Sequence, residues 1–400
     1  MEVRESSAKY LVRPRYKQTE VGVIPEDWTV VPFAELMKFR NGINADKRAY
    51  GRGVPFINVL EVITKGHLRA SDIPGRVSIG KSVASLFAVC QGDLVFNRSS
   101  ETLEEVGLSA VYLDDVPAVF GGFVIRGQLK GNIVDPAYSG YAFRAPAIRT
   151  QIVAKGQGAI RANIGQSELK LINAPLPPLP EQEAIAEALS DADALIESLA
   201  QLIAKKRQLK QGAMQELLTG KNRLPGFSGE WAVKRLGDVL TIRHGKSQKE
   251  VESIDGAYPV LATGGQIGRA SQFLSDRPSV LIGRKGTIDQ PQYMDTPFWT
   301  VDTLFYSDVH PKNNAKFLFY RFCLIDWKQY NEASGVPSLN ARTIESVEIL
   351  CPEPAEQTAI ATLLGDMDME LAELESRLAK ARQLKQGMMQ ELLTGRIRLL

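Results

Sequence analysis

Residues 181–220 and 356–395 align without a gap, and 24 of the 40 positions are identical. Within them, RQLKQGAMQELLTG (Arg207–Gly220) and RQLKQGMMQELLTG (Arg382–Gly395) differ only at Ala213 against Met388. A repeat at fixed separation constrains the whole architecture, because each copy must find an equivalent environment. Both blocks open on Glu-Gln after a proline-bearing approach, PLPPLPEQ and CPEPAEQ, and both close on Thr-Gly. Proline suits the entry to a helix, where its missing amide hydrogen costs nothing, and glycine suits the left-handed residue that ends one. The spacing therefore predicts one long helix per block.

Apolar residues within the blocks step by 4, 3, 4, 3, 4: Ile360, Leu364, Met367, Leu371, Leu374 and Leu378, matched by Ile185, Leu189, Ala192, Ile196, Leu199 and Ile203. That is a heptad seam, and two such helices in one chain predict mutual pairing in either orientation. Packing of each helix on its own domain is the competing reading. Lys206, Lys210 and Lys385 interrupt the seam, so the helices are expected to splay or meet another partner at the doubled phrase.

A weaker repeat precedes each intervening segment. IPEDWTVVPFAELMKFRNG (Ile24–Gly42) parallels FSGEWAVKRLGDVLTIRHG (Phe227–Gly245), setting Trp28 over Trp231 and Gly42 over Gly245. The intervening segments read as strand-rich, through VPFINVLEV, GDLVFNRS, SAVYL and FGGFVIRGQL in the first and YPVLATGG, SVLIGRKG and TLFYSDV in the second. Helical stretches follow near 138–155 and 315–330. The expected organisation is α+β: a β-rich domain over 1–180 with a partly flexible leader over 1–20, a long helix over 181–220, a second β-rich domain over 221–355 and a second long helix over 356–400. The frame is duplicated with pseudo-two-fold character while the contents differ.

Chemistry-bearing motifs are few. GRVSIGKS (Gly75–Ser82) matches the phosphate-cradling pattern GxxxxGK[ST], but RASDIP before it supplies no buried strand to deliver the loop, so it is not read as a nucleotide site. DPAY (Asp135–Tyr138) is better explained as a turn entering a helix than as a methyltransferase box. His67, His244 and His310 are isolated, with no metal-ligand spacing and no nucleophile motif. Cys90, Cys323 and Cys351 form no CxxC pair and read as structural thiols of a cytoplasmic protein. No apolar run reaches the roughly 18 residues of a membrane span, and the first twenty residues are too charged for a secretory signal. Net charge is +2; residues 1–180 carry 22 Lys/Arg against 17 Asp/Glu, a modest basic excess that does not by itself announce a nucleic-acid binder. The chain reads as a binder, not an enzyme, with no cofactor or metal of its own.

Two unlike β-rich segments, each followed by a near-identical long helix, resemble the specificity (S) subunit of type I restriction-modification systems. The residues that carry the resemblance are VIPEDW (Val23–Trp28), LPPLPEQEAIAEAL (Leu176–Leu189), the paired LKQGxMQELLTG tails, GDLVFNRSS (Gly92–Ser100) and VLIGRKGTIDQPQY (Val280–Tyr293). The resemblance covers roughly residues 20–395. It implies two target-recognition domains that each read one half of a split, asymmetric site on double-stranded DNA, held apart by antiparallel coiled-coil helices. It also implies two docked methyltransferase (modification) subunits, with restriction subunits joining the complex and the methyl-donor and nucleotide sites belonging to those partners.

Polar and basic loops are the candidate DNA contacts, since Lys and Arg neutralise phosphates while side chains reaching base edges read sequence. They are Arg40, Asn41, Lys47, Arg48, Asn97, Arg98 and Ser99 in the first half, and Arg243, His244, Lys246, Arg284, Lys285 and Thr287 in the second. Arg98 and Arg284 rank first because each follows a strand-like run. The doubled phrase, through Lys210, Gln211, Gln215, Lys385, Gln386 and Gln390, is the candidate docking surface for two copies of one partner. The alternative is a structural or tethering protein whose globular ends bind protein.

Overall fold

In the computed structural model, which describes residues 15–156 and 162–399, each repeated block is a 39-residue helix: Leu179–Leu217 (α1) and Pro354–Leu392 (α2). Both begin two residues before the Glu-Gln pair, because Pro180 sits in the first turn of one and Pro354 opens the other. Both run into a left-handed glycine, Gly220 with φ +71° and Gly395 with φ +68°. The amides of Asn222 and Arg396 turn back to the carbonyls of Glu216 and Glu391, closing the last turns in the expected way.

The described chain divides into two compact units. The first takes residues up to Glu197 together with Ala379 onward; the second takes Ser198–Leu378. Each unit therefore holds one β-rich segment, the start of one long helix and the end of the other.

The first unit centres on a five-stranded sheet built from β1 (Met37–Asn41), β2 (His67–Leu68), β3 (Leu94–Asn97), β4 (Ser109–Tyr112) and β5 (Val124–Leu129), in the order β1-β5-β3-β4-β2. The second has β6 (Leu240–Arg243), β7 (Ser279–Gly283), β8 (Gln292–Met294) and β9 (Leu304–Val309), in the order β6-β9-β7-β8. Apart from the parallel edge pair β4–β2, the pairs are antiparallel. The second order matches β1-β5-β3-β4 of the first, which adds β2 at its edge, so the intervening segments share a four-strand topology that their sequences hide. Both central strands, β3 and β7, are buried along their whole length, as their unbroken apolar runs require. One expected strand is only half right. Tyr50–Ile57 is a strand, but Val59–Thr64 is helical, nucleated where the Glu61 carboxylate accepts the Asn58 amide at 2.9 Å.

The seam residues serve two partners. Eight of the twelve are buried, and Ala192, Ile196, Met367 and Leu378 are half-buried. Ile185 and Leu189 pack into the first unit's core with Phe33, Phe143, Leu392 and Leu393, while Ile360 and Leu364 pack into the second's with Phe317, Leu217 and Leu218. Within each unit the helices run antiparallel, Lys385 meeting Asp193 in the first and Lys206 meeting Glu370 in the second. They do not splay at the lysines, because acidic partners on the facing helix neutralise each one. Of the expected leader, residues 1–14 lie outside the described residues, and Tyr16–Thr19 is a strand paired with Gly22–Pro25.

Repeat-equivalent polar clusters explain the identities that heptad packing leaves unexplained. Trp28 Nε1 donates to Glu181 and Trp231 Nε1 to Glu356, both at 3.1 Å. Arg398 forks onto Glu181, and Arg223 forks onto Glu356. Gln182 and Gln357 each donate to a proline carbonyl and accept a backbone amide, from Asp135 and Asn314 respectively. The Glu-Gln openings are thus buried brackets that join helix, tail and domain.

Candidate nucleic-acid interface

Arg98 and Arg284 occupy equivalent places. Each leaves the end of its unit's central strand, and each is tied down by the same three backbone contacts. The Arg98 amide donates to the Phe123 carbonyl and the Arg284 amide to the Thr303 carbonyl, both at 2.8 Å. The Ile164 amide donates to Arg98 and the Leu339 amide to Arg284, both at 3.0 Å. One guanidinium nitrogen of Arg98 donates to the Gly122 carbonyl at 3.4 Å, and its counterpart on Arg284 to Asp302 at 3.2 Å. The remaining donors of both forks have no partner among the described residues, which leaves a preoriented fork of the kind that recognises phosphate or a guanine edge.

The other candidates divide by how free they are. Asn41 is exposed at the end of β1, and Lys47 and Arg48 are exposed on a turn whose Asp46 carboxylate accepts the Arg48 amide. Arg40 is half-buried, donating to the Leu86 carbonyl and lying 5.6 Å from the centre of the Phe87 ring. Its counterpart Arg243 is exposed and paired with Asp308 at 2.7 Å, and this hydrogen bond raises the guanidinium pKa further. His244, Lys246 and Lys285 are exposed, with the His244 ring edge-on to Phe305; Thr287 is half-buried. Ser99 is half-buried and donates to Asn163 at 2.5 Å.

Asn97 is corrected. Its side chain is fully buried and donates inward to the Glu105 carbonyl, so it cannot reach DNA. It is the last residue of β3, a strand buried on both faces, whereas Arg98 has left the strand and is exposed. Lys210 and Lys385 are corrected as docking residues. Lys385 pairs with Asp193 at 2.5 Å and lies over the Tyr141 ring; Lys210 pairs with Asp368 and lies over Tyr320. Tyr141 and Tyr320 donate to the same carboxylates, and burial raises both phenol pKa values. Gln211, Gln215, Gln386 and Gln390 are exposed, as are Leu209 and Leu384, which occupy equivalent positions in the two copies of the phrase.

The remaining motifs are structural. In GRVSIGKS, Arg76–Val77 is a strand beside Tyr50–Ile57, and the helix Lys81–Leu86 is only six residues long, so no strand delivers a phosphate loop. Asp135 caps the helix that starts at Pro136, accepting the Tyr138 amide at 2.7 Å. His67 is hydrogen-bonded to the Ala137 carbonyl and stacked near Tyr141, its pKa lowered by burial; His310 contacts Thr241 and the Asp238 carbonyl. All three cysteines are free thiols. Among the described residues no metal-ligating cluster occurs, and no helix is long and apolar enough to cross a membrane.

One feature near Arg98 escaped the sequence reading. Phe123, on the Gly121–Phe123 turn, is 61% exposed and borders a cleft of about 390 Å³ with Tyr50, Asn44, Asn58 and Arg76. Gly122 lies against the Asn44 side chain, whose Oδ1 would be 2.1 Å from a Cβ there and would have to move aside for any larger residue. The signal available in advance was FGGF, a glycine pair carrying an aromatic to a turn.

The duplicated frame, shared topology and paired arginines coincide with membership of a known family. The family model for the type I restriction modification DNA specificity domain matches residues 25–206 and 228–383, and the chain belongs to that family. It is a DNA-specificity subunit, the recognising and non-catalytic component of a type I restriction-modification system, whose DNA, methyltransferase and restriction subunits are its partners. It is 26% identical over 428 residues to the putative type I restriction enzyme MjaX specificity subunit of Methanocaldococcus jannaschii, with 96% of each chain covered. The EcoKI specificity subunit of Escherichia coli is 27% identical over 259 residues, covering 60% of this chain and 54% of that one. In fold it is similar to the S subunit of a type I restriction-modification system from M. genitalium, with a TM-score of 0.66 at 18% identity, covering 95% of this chain and 99% of that one.

Proposed function

We propose that the two units read the two halves of an asymmetric bipartite DNA target, with Arg98 and Arg284 as the equivalent leading contacts. The observation that carries this is their matched anchoring: identical backbone ties in two otherwise divergent segments. Asn41, Lys47 and Arg48 in the first half, and Arg243, His244, Lys246, Lys285 and Thr287 in the second, supply the phosphate and base contacts around them, with Arg40 and Ser99 supporting. The recognition domains correspond to the segments before and between the long helices Leu179–Leu217 and Pro354–Leu392, which act as spacers. A 39-residue helix is about 58 Å long at 1.5 Å per residue, a stiff spacer that fixes half-site separation. Two methyltransferase subunits dock on the two copies of the doubled phrase through Gln211 and Gln215 and through Gln386 and Gln390, and the assembly works in the cytoplasm.

Methylation mapping with the assembled complex tests the reading. Arg98→Ala is expected to relax or weaken recognition of one half-site by about 1–3 kcal/mol, and Arg284→Ala the other. Two variants that alter the same half-site, or neither, refute the assignment.

A further inference from the structure

The scaffold around the paired arginines is repeated, but the side chains set on it are not. The turn after Gly121 presents Phe123 where the second unit presents Thr303, because their carbonyls accept the equivalent Arg98 and Arg284 amides. The match extends across the turn: a Cβ on Gly42 would strike the Gly121 carbonyl at 2.0 Å, and one on Gly245 the Val301 carbonyl at 2.0 Å. Backbone this closely held does not vary its path, so the side chain at this position is the variable. In the first unit that side chain is a phenyl ring exposed at the lip of the cleft, on the residue whose carbonyl holds the Arg98 amide. With 61% of its surface in water, this aromatic contributes little burial to the fold and keeps its apolar area available to a ligand.

We propose that Phe123, with Thr303 as its counterpart, is a specificity-determining residue: the ring makes an apolar contact with one base pair of the first half-site, next to the pair or phosphate that Arg98 engages. The C5 methyl of thymine in the major groove is the base feature that such a ring fits. Thr303, smaller and carrying a hydroxyl, reads a different feature at the corresponding point of the second half-site. The inference rests on the assignment of the Arg98 and Arg284 face to DNA.

The test uses the complete complex with its methyltransferase subunits and reads the methylated target sequences for Phe123→Ala, Phe123→Leu, Thr303→Ala and Arg98→Ala. Phe123→Ala is expected to lose about tenfold in discrimination at one base pair of the first half-site, within the range one mismatched pair costs. Phe123→Leu should retain most of it, and Thr303→Ala should affect only the second half-site. Replacing thymine by uracil through the first half-site should reproduce the loss in the wild type at that one pair and add nothing to Phe123→Ala. If Arg98→Ala alters the first half-site and Phe123→Ala does not, the inference fails while the DNA face stands. When neither variant alters a target that the complex still modifies, the DNA face itself is misassigned. Equal changes at both half-sites, or loss of the co-purified complex, would mean that Phe123 acts through folding, and also overturn the inference.

Discussion

Replacing Arg398 by Met removes the cation from a buried bracket. The Arg398 side chain is 8% exposed and donates to Glu181 through Nε at 2.5 Å and Nη2 at 2.8 Å. Glu181 is 1% exposed, and its one further side-chain donor is Trp28 Nε1 at 3.1 Å. Removing one partner of a buried pair leaves an uncompensated charge and costs about 3–5 kcal/mol. Asp27, the second acceptor, is 51% exposed and regains water, so its share is small. The retained tryptophan bond offsets part of the rest, and the expected loss is about 3 kcal/mol. Arg398→Met with Glu181→Gln should recover more than half of it, since a neutral amide oxygen still accepts from Trp28 and needs no counter-ion. Urea unfolding followed by tryptophan fluorescence measures this, because Trp28 is the sole tryptophan in residues 1–197 and 379–400. A single variant within about 1 kcal/mol of wild type, or a double variant no more stable than the single, would refute the argument from uncompensated burial.

Three further outcomes are expected. Lys385→Met should cost about 1 kcal/mol, from a partly exposed ion pair and a cation over Tyr141, and Lys210→Met should cost the same within roughly 0.5 kcal/mol; unequal losses in urea unfolding would break the equivalence of the two clusters. Burial holds His67 below its ordinary pKa of 6.5, so the stability it confers is present above that value and lost as pH falls through the folded pKa. His67→Gln should therefore flatten the decline of first-unit stability below about pH 6.5, and an unchanged slope would assign the decline elsewhere. Leu384→Glu and Leu209→Glu, on exposed equivalent positions, should each release one methyltransferase subunit, read as a mass change of the purified complex; retention of both would move the docking surface off the doubled phrase.

The organisation of this protein was legible in its sequence because repetition and periodicity are one-dimensional. The helix starts at proline, the stops at Gly220 and Gly395, the seam from Ile185 to Leu378 and the alignment of Trp28 with Trp231 all appear as spacing. The equivalence of Arg98 and Arg284 was legible because each stands one residue beyond an apolar run. Three features needed the tertiary structure. Asn97 and Arg98 are neighbours in sequence with the same polar character, and only the packing around the end of β3 decides that the last strand residue is buried and the next one exposed. Lys210 and Lys385 looked like breaks in a seam, whereas Asp368 and Asp193 on the facing helix, with Tyr320 and Tyr141 from the domains, make them part of it. Phe123 had only the weak mark of the glycine pair before it, because an aromatic leading into the apolar run Val124-Ile125 reads as core until the fold sets it on a turn with its ring exposed. Periodic self-similarity determines which elements exist and which are equivalent; whether a given side chain faces solvent or an interior depends on chain segments far away in sequence.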